Sequence, residues 1–296
     1  MNNQHPSPRS HSGTGSPPVR LSVVLGSYNR RWYLQQTLAC LRRELADLSA
    51  EIIVVEGGST DGSVAWLARQ KDVVLILQHN RGRWQGRPLE RRTWGGFMNL
   101  GFKAARGEWI LMVSDDLILE AGAVRGALAE WEQAEAAGER WGALAFPWLE
   151  WPTQQKLWIR KVFNQPYVNH GLFRRSALAE VGWIDESFQF YFADFDLCQR
   201  LRERGYQVAI SRTARALHNY HANTFLRAGN TAISGQDTEL LLARWGHRLP
   251  GAGRDTLNQW DYVEGELAPE TRRVFEHRWR DPAFAGYALT LSLIHI

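Results

Sequence analysis

An α/β fold, with a mostly parallel central sheet and helices on both faces, is what this 296-residue chain predicts. Three observations carry that reading. The runs Leu21–Gly26, Glu51–Val55 and Trp109–Val113 are short and nearly continuously apolar, as strands buried on both faces are. Segments of helical period alternate with them, and strand–helix–strand–helix at this spacing marks a helix-covered parallel sheet. Each of the three runs ends directly in polar residues: Ser27-Tyr28-Asn29-Arg30, Glu56, and Ser114-Asp115-Asp116. In a parallel sheet those ends share one edge, and that edge is where such sheets bind ligands.

The elements follow in order. Residues 1–19 are rich in Pro, Ser, Gly and His and offer little to bury, so they read as a disordered tail. After the first strand a helix spans about Trp32 to Leu48, with Leu34, Leu38, Leu41, Leu45 and Leu48 on one face. A second helix reaches Gln70, and Val73–Leu77 is a third strand. His79 to Arg92 is polar and holds Arg81, Arg83, Arg87, Arg91 and Arg92, which reads as a solvated basic loop or as a group that meets an anionic ligand. A helix from Thr93 to about Arg106 stops at Gly107, and another runs from Glu120 to about Ala137. Gly142–Phe146 is a strand, and Gln155–Phe163 alternates loosely, as in a small antiparallel hairpin. Ser176–Val181 and Leu197–Arg204 are helices, the second closed by Gly205, and Tyr206–Ile210 is a last strand. The pattern thins after Tyr220, although Leu240–Trp245 and Thr271–Trp279 have helical character. This divides the chain into the tail, a main domain over 20–224 and an irregular helical C-terminal extension over 225–290. Residues 291–296 resemble a translated sequencing adapter and are read as a non-native end.

Composition narrows the function. A net charge of +4 with no long Lys/Arg run argues against nucleic acid as partner, and fits an anionic small ligand or peripheral contact with an anionic membrane surface. Two cysteines in a chain this long form no disulfide framework, which points to the cytoplasm. No apolar run approaches a membrane span, and the oligomeric state is left open. Fourteen tryptophans are the compositional oddity; core filling is the expected use of most of them, and indoles also stack on sugar rings.

The adjacent acids Asp115 and Asp116 repel each other at a buried strand end, so a metal cation, a basic neighbour or water must compensate them. A solvated turn or a helix N-cap is the alternative. Glu56 precedes two glycines and could accept a hydrogen bond from a nucleobase edge or ribose, or simply close a turn. Neither a G-x-G-x-x-G nor a P-loop lysine motif occurs, which argues against dinucleotide and P-loop chemistry.

An ordered set of motifs then resembles the family 2 glycosyltransferases. Leu21 to Arg30 is similar to that family's S-V-V-I-P-T-Y-N-R opening, and Val54 to Gly62 to its V-V-D-D-G-S-T-D-G. Met98-Asn99-Leu100-Gly101 through Glu108 to Asp116 resembles its N-x-G…A-x-G-E…D-x-D segment, in a form like the rhamnosyltransferase-like branch. Gly171 to Tyr206 contains Val181-Gly182-Trp183-Ile184-Asp185-Glu186 and Asp194-Phe195-Asp196-Leu197-Cys198, and resembles V-G-G-F-D-E…E-D-V-D-L-C. The resemblance covers about residues 21–224 and implies a Rossmann-like, A-type nucleotide-sugar transferase fold.

It also implies roles. Ser27, Tyr28, Asn29, Arg30, Glu56, Asn99 and Asp115 would bind a nucleotide-sugar donor. Asp116, Asp115 and His218 would hold a divalent metal, Mn²⁺ or Mg²⁺, with His221 a weaker substitute for the histidine. Asp194 would be the catalytic base of an inverting transfer to a glycan or lipid-linked acceptor, in surface polysaccharide biosynthesis at the inner face of the membrane. Asp196 is a second candidate base or the cap of the helix that follows it. Trp148, Trp151 and Trp158 lie between the carboxylates and the base, where they would stack on an acceptor sugar or pack in the core. Four departures from the family pattern stand out: Gly26 for proline, Glu56-Gly57 for an Asp pair, Ser114 for an acid, and Ala193 for a glutamate. A nucleotidyltransferase acting on sugar phosphates and a non-catalytic nucleotide- or glycan-binding protein remain as alternatives.

Overall fold

The structure is a computed structural model describing residues 18–78, 83–89, 92–219 and 224–276. The expectations for residues 1–17, for Arg81, Arg91 and His221, and for the 291–296 end lie outside the described residues. The first half alternates as the apolar runs require: β1 (Leu21–Ser27), α1 (Arg31–Glu44), β2 (Ala50–Glu56), α2 (Ser63–Leu67) and β3 (Val73–Leu77). A two-stranded ribbon, β4 (Arg83–Trp84) and β5 (Arg87–Pro88), comes next, then α3 (Trp94–Ala104) and β6 (Trp109–Met112). Beyond it lie β7 (Leu117–Leu119), α4 (Ala123–Ala136), β8 (Trp141–Ala145), β9 (Trp148–Trp151), β10 (Leu157–Val162), β11 (Gln165–Pro166) and β12 (Gly171–Arg174). The chain continues with α5 (Arg175–Glu180), α6 (Ala193–Glu203), β13 (Gln207–Ile210), β14 (Ala216–Asn219), α7 (Thr224–Trp245), β15 (Gln259–Val263) and α8 (Pro269–Arg273).

Seven strands form the central sheet in the order β13-β8-β12-β6-β1-β2-β3. All run parallel except β12, which is antiparallel to both of its neighbours. From β1 the sheet grows through β2 and β3 in one direction and through β6 in the other. Right-handed crossovers in opposite directions put α1 and α3 on opposite faces, and they create a switch point between β1 and β6. A second sheet, β11-β10-β9-β14-β7 with β15 on the free side of β10, stands beside it. The antiparallel element foreseen at Gln155–Phe163 is therefore not an isolated hairpin. Strand β10 pairs with β9, β11 and β15, and the last of these comes from the region where the sequence pattern thins.

Local chemistry explains several boundaries. Thr93 Oγ1 accepts the Gly96 N–H at 3.1 Å and starts α3. Gly205, at φ +76°, closes α6. Gly107 does not cap a helix: α3 ends at Ala104, and a Cβ at Gly107 would come within 2.6 Å of the Ser22 backbone nitrogen. The glycine is there because β1 and the entry to β6 touch. The apolar core joins both sheets. It includes Leu34, Leu38 and Leu41 of α1, as the leucine spacing predicts, and the fully buried Trp131. Helix α7 replaces the short Leu240–Trp245 segment by a run of 22 residues. No described helix is long and apolar enough to cross a membrane.

Candidate active site

The switch point opens into a cavity of about 680 Å³. Its lining includes Ser27, Tyr28 and Arg30 from the end of β1, Ser114, Asp115 and Asp116 from the end of β6, and His218 from β14. Asp194, in the first turn of α6, lines the same cavity.

Among the three ways of compensating the acid pair, the structure shows a basic neighbour. Arg30 Nη1 donates to Asp115 Oδ1 at 2.9 Å and to Asp116 Oδ2 at 3.0 Å. Both carboxylates are buried, and the loops that carry them are adjacent because β1 and β6 pair in parallel. Burial pushes the Asp115 carboxyl up to about 6, with Asp116 adding to the rise and Arg30 opposing it. The strand β7 begins directly after Asp116 and pairs antiparallel with β14, which sets His218 opposite Leu117. That register brings His218 Nε2 to 3.3 Å from Asp116 Oδ1, while the parallel pairing of β14 with β9 puts Glu150 on the other side of the ring, Nδ1 to Oε1 4.0 Å. Burial disfavours the imidazolium of His218, but Asp116 and Glu150 outweigh it and raise its pKa. His170 packs against this ring at 5.2 Å between centroids; burial and the neighbouring histidine drive its pKa down to about 3, so it is neutral.

The donor set fits a divalent cation of the kind that keeps an open coordination sphere. Two ligands each about 2.1 Å from one ion and near a right angle to each other sit about 3 Å apart, close to the Asp116–His218 separation. Asp115 is turned to Arg30 instead, and the described residues contain no cluster of three or more potential ligands. Such a pair would hold a metal only together with an anionic ligand that fills the remaining positions.

Asp194 is held from two directions. Asn169 Nδ2 donates to its Oδ2 at 2.6 Å, and the Phe195 N–H to its Oδ1 at 2.9 Å. Burial pushes its carboxyl up to about 6, although Arg160 and these hydrogen bonds oppose the shift. A carboxylate of that basicity in a cavity can accept a proton near neutral pH. The turn before it is fixed from the C-terminal extension: Asp237 of α7 accepts the N–H groups of Gln189, Phe190 and Tyr191 at 2.7, 2.8 and 2.8 Å.

Other expected site residues lie elsewhere. Glu56 is fully buried, and its carboxylate accepts the Gly58 N–H at 2.7 Å, the Ser59 N–H at 3.1 Å and the Ser59 hydroxyl. It shapes the loop, and Gly57 lines the cavity in its place. Asn29 clamps the same loop through the Thr60 N–H at 2.7 Å. Asn99 pairs with the backbone of Ile184 and with Glu186 and is 3 % exposed, away from the cavity. Of the three tryptophans, only Trp148 lines the cavity. Trp158 is covered by Trp260, ring on ring at 3.6 Å, and Trp151 sits outside the lining. Asp196 is neither base nor cap, because α6 already starts at Ala193 and its carboxylate is fully buried. It receives Arg200 and Arg244 at 2.8 Å each and the Trp245 indole at 3.0 Å, joining α6 to the end of α7.

Sequence reasoning missed Asn169 and His170. They precede β12, and only because β12 runs backwards does its start share the edge with Ser27 and Asp115. The polar pair before Gly171 was a visible signal, but strand direction was not. Arg160, Asn258 and Trp260 also line the cavity, and nothing in the sequence links β10 with β15.

Comparisons with known proteins bear on the family and the fold. A family model described as "Glycosyl transferase family 2" matches residues 22–182, more than half of the chain. The "Uncharacterized glycosyltransferase YfnE" of Bacillus subtilis (strain 168) is 29 % identical over 104 residues, which are 34 % of this chain and 24 % of the relative. The match thus spans about a quarter of that protein. A solved mannosyltransferase, PcManGT from Pyrobaculum calidifontis in complex with GDP-Man and Mn²⁺, superposes with a TM-score of 0.54 at 15 % identity, over 94 % of this chain and 76 % of that one. S. aureus TarS 1–349 with UDP-GlcNAc gives a TM-score of 0.51 at 16 % identity, covering 69 % of this chain and 59 % of that one. At these identities the likeness establishes the shared fold, a mostly parallel sheet flanked by helices.

Proposed function

Since the chain belongs to glycosyl transferase family 2, we propose that it moves a sugar from a nucleotide-diphosphate donor to a hydroxyl of a glycan or lipid-linked acceptor, with inversion at the anomeric carbon. The observation that carries the reading is that Asp194 and the Asp115–Asp116 pair line one cavity, the base candidate and the diphosphate end in a single space.

In this reading the donor's diphosphate lies by Arg30, Asp116 and His218, and the acceptor hydroxyl faces Asp194. The hydroxyl oxygen forms the new bond to the anomeric carbon, the bond to the diphosphate oxygen breaks on the opposite side, and Asp194 takes the hydroxyl proton. Asn169 keeps the receiving oxygen aligned. Asp116 and His218, with Asp115 beside them, would hold Mn²⁺ or Mg²⁺, which neutralises charge as it grows on the departing diphosphate. Arg30 keeps the two carboxylates in one geometry. The Ser114-Asp115-Asp116 form supports the rhamnosyltransferase-like branch, and the family resemblance supports a role in surface polysaccharide biosynthesis at the cytoplasmic face.

The test is thermal stabilisation by nucleoside diphosphates with and without Mn²⁺, because a ligand of the folded state raises the melting temperature. At least one nucleoside diphosphate stabilises the protein, and more so with the ion. No shift with any of them at millimolar concentration contradicts the proposal. Product analysis separates the rival chemistry: a transferase releases nucleoside diphosphate, a nucleotidyltransferase pyrophosphate.

A further inference from the structure

Strand β10 sends neighbouring cations to opposite faces. Lys161 Nζ meets Asp261 Oδ2 at 2.9 Å, an ordinary neutralised pair. Arg160 lines the cavity and forms no ion pair with any described carboxylate. Its Nη2 donates to the neutral amide oxygen of Asn258 at 2.8 Å, and its guanidinium carbon lies 4.6 Å from the centre of the Trp260 ring. That indole is fixed in turn by its stack on Trp158. The guanidinium is therefore oriented by two uncharged partners that leave its charge intact, and only one of its five N–H donors is used by Asn258.

Arg160 is near enough to Asp194 and Tyr167 for its charge to act on both. Asp194 nevertheless spends its oxygens on Asn169 and the Phe195 N–H and forms no ion pair with it. An anionic ligand in the cavity would give this cation the charge-assisted partner that an amide and an indole do not supply.

We propose that the acceptor carries an anionic group, a phosphate or a carboxylate, close to the hydroxyl that receives the sugar, and that Arg160 binds it. The assignment rests on the transferase reading, since it takes the space around Asp194 as the acceptor half. The C-terminal extension then supplies acceptor selectivity through Asn258, just before β15, and Trp260 within it.

Calorimetric titration of the full chain tests this, with the nucleotide site first saturated by whichever nucleoside diphosphate stabilises the protein, or with the protein alone if none does. The probes are glucose, glucose 1-phosphate and glucuronate, together with phosphatidylcholine vesicles with and without a polyprenyl phosphate. At least one anionic probe binds at least about tenfold more tightly than its neutral counterpart, as a charge-assisted fork predicts. Arg160→Gln removes that advantage, Arg160→Lys keeps part of it, and neither changes the nucleoside diphosphate shift. Response to the sugar anions assigns a soluble or glycan anion, and response only to the charged vesicles assigns a lipid-linked one. Equal binding of anionic and neutral probes, or a preference that survives Arg160→Gln, overturns the proposal. The nucleotide shift reports separately on the transferase reading.

Discussion

In the proposed transfer the Asp194 carboxyl has to be basic enough to take a proton and still be ionised when the acceptor arrives. Burial sets that balance by raising its pKa to about 6, and Arg160 limits the rise. The carboxyl is competent only when deprotonated. kcat/KM therefore climbs with pH below about 6 and levels off above it, and a pH–rate profile of the free enzyme reads that limb directly. Arg160→Gln removes a positive charge that favours the ionised form, so the same limb moves to higher pH. Asp116 and His218 belong to the other pole. If they hold the ion as proposed, replacing either, as Asp116→Asn or His218→Ala, leaves too few groups to keep it with the diphosphate. The Mn²⁺-dependent part of the nucleotide-induced melting shift then disappears, while any metal-independent shift stays. A metal effect that persists in both variants places the ion elsewhere.

Elements deliver these residues, and two contacts decide whether they arrive. Helix α7 holds the turn before Asp194 through the three N–H groups that converge on Asp237. Asp237→Asn puts an amide N–H against those donors. The expected cost is about 2–4 kcal/mol, read as a lowered unfolding free energy, with a higher KM for acceptor at unchanged nucleotide binding. In the central sheet, Gly171 enters β12 at φ +151°, and a Cβ there would lie 2.1 Å from the Leu144 carbonyl oxygen. Gly171→Ala therefore disrupts the edge that carries Asn169 and His170, destabilising the fold by at least about 3 kcal/mol in denaturant titration. The parallel half was legible because β1, β2 and β6 are apolar runs with polar ends, and period alone separates them from the helices. The mixed half was not. Its strands are short, their directions depend on pairing, and the alternation at Gln155–Phe163 could not reveal that its partner stands a hundred residues later in β15.

Across the whole molecule, two sheets and a C-terminal helix meet on one cavity, and each contributes a different kind of group. The central sheet brings Arg30 and the acid pair, the second sheet His218 and Arg160, and α7 fixes the turn before Asp194. Asp116, Asp194 and His218, expected together from motif order, do line one cavity, because strand ends and the motif spacing mark them. Glu56, Asn29 and Asn99 show the limit of that approach: polar residues beside a site often build its loops rather than face the ligand, and only their hydrogen bonds reveal which. The measurement that bears most directly on the central claim is nucleoside diphosphate release from a nucleotide sugar by wild type and Asp194→Asn, with nucleotide binding followed in parallel. The account predicts that turnover falls by about a thousandfold, within the range of a lost general base, while the nucleotide-induced melting shift is preserved. Turnover by Asp194→Asn close to that of wild type would contradict it.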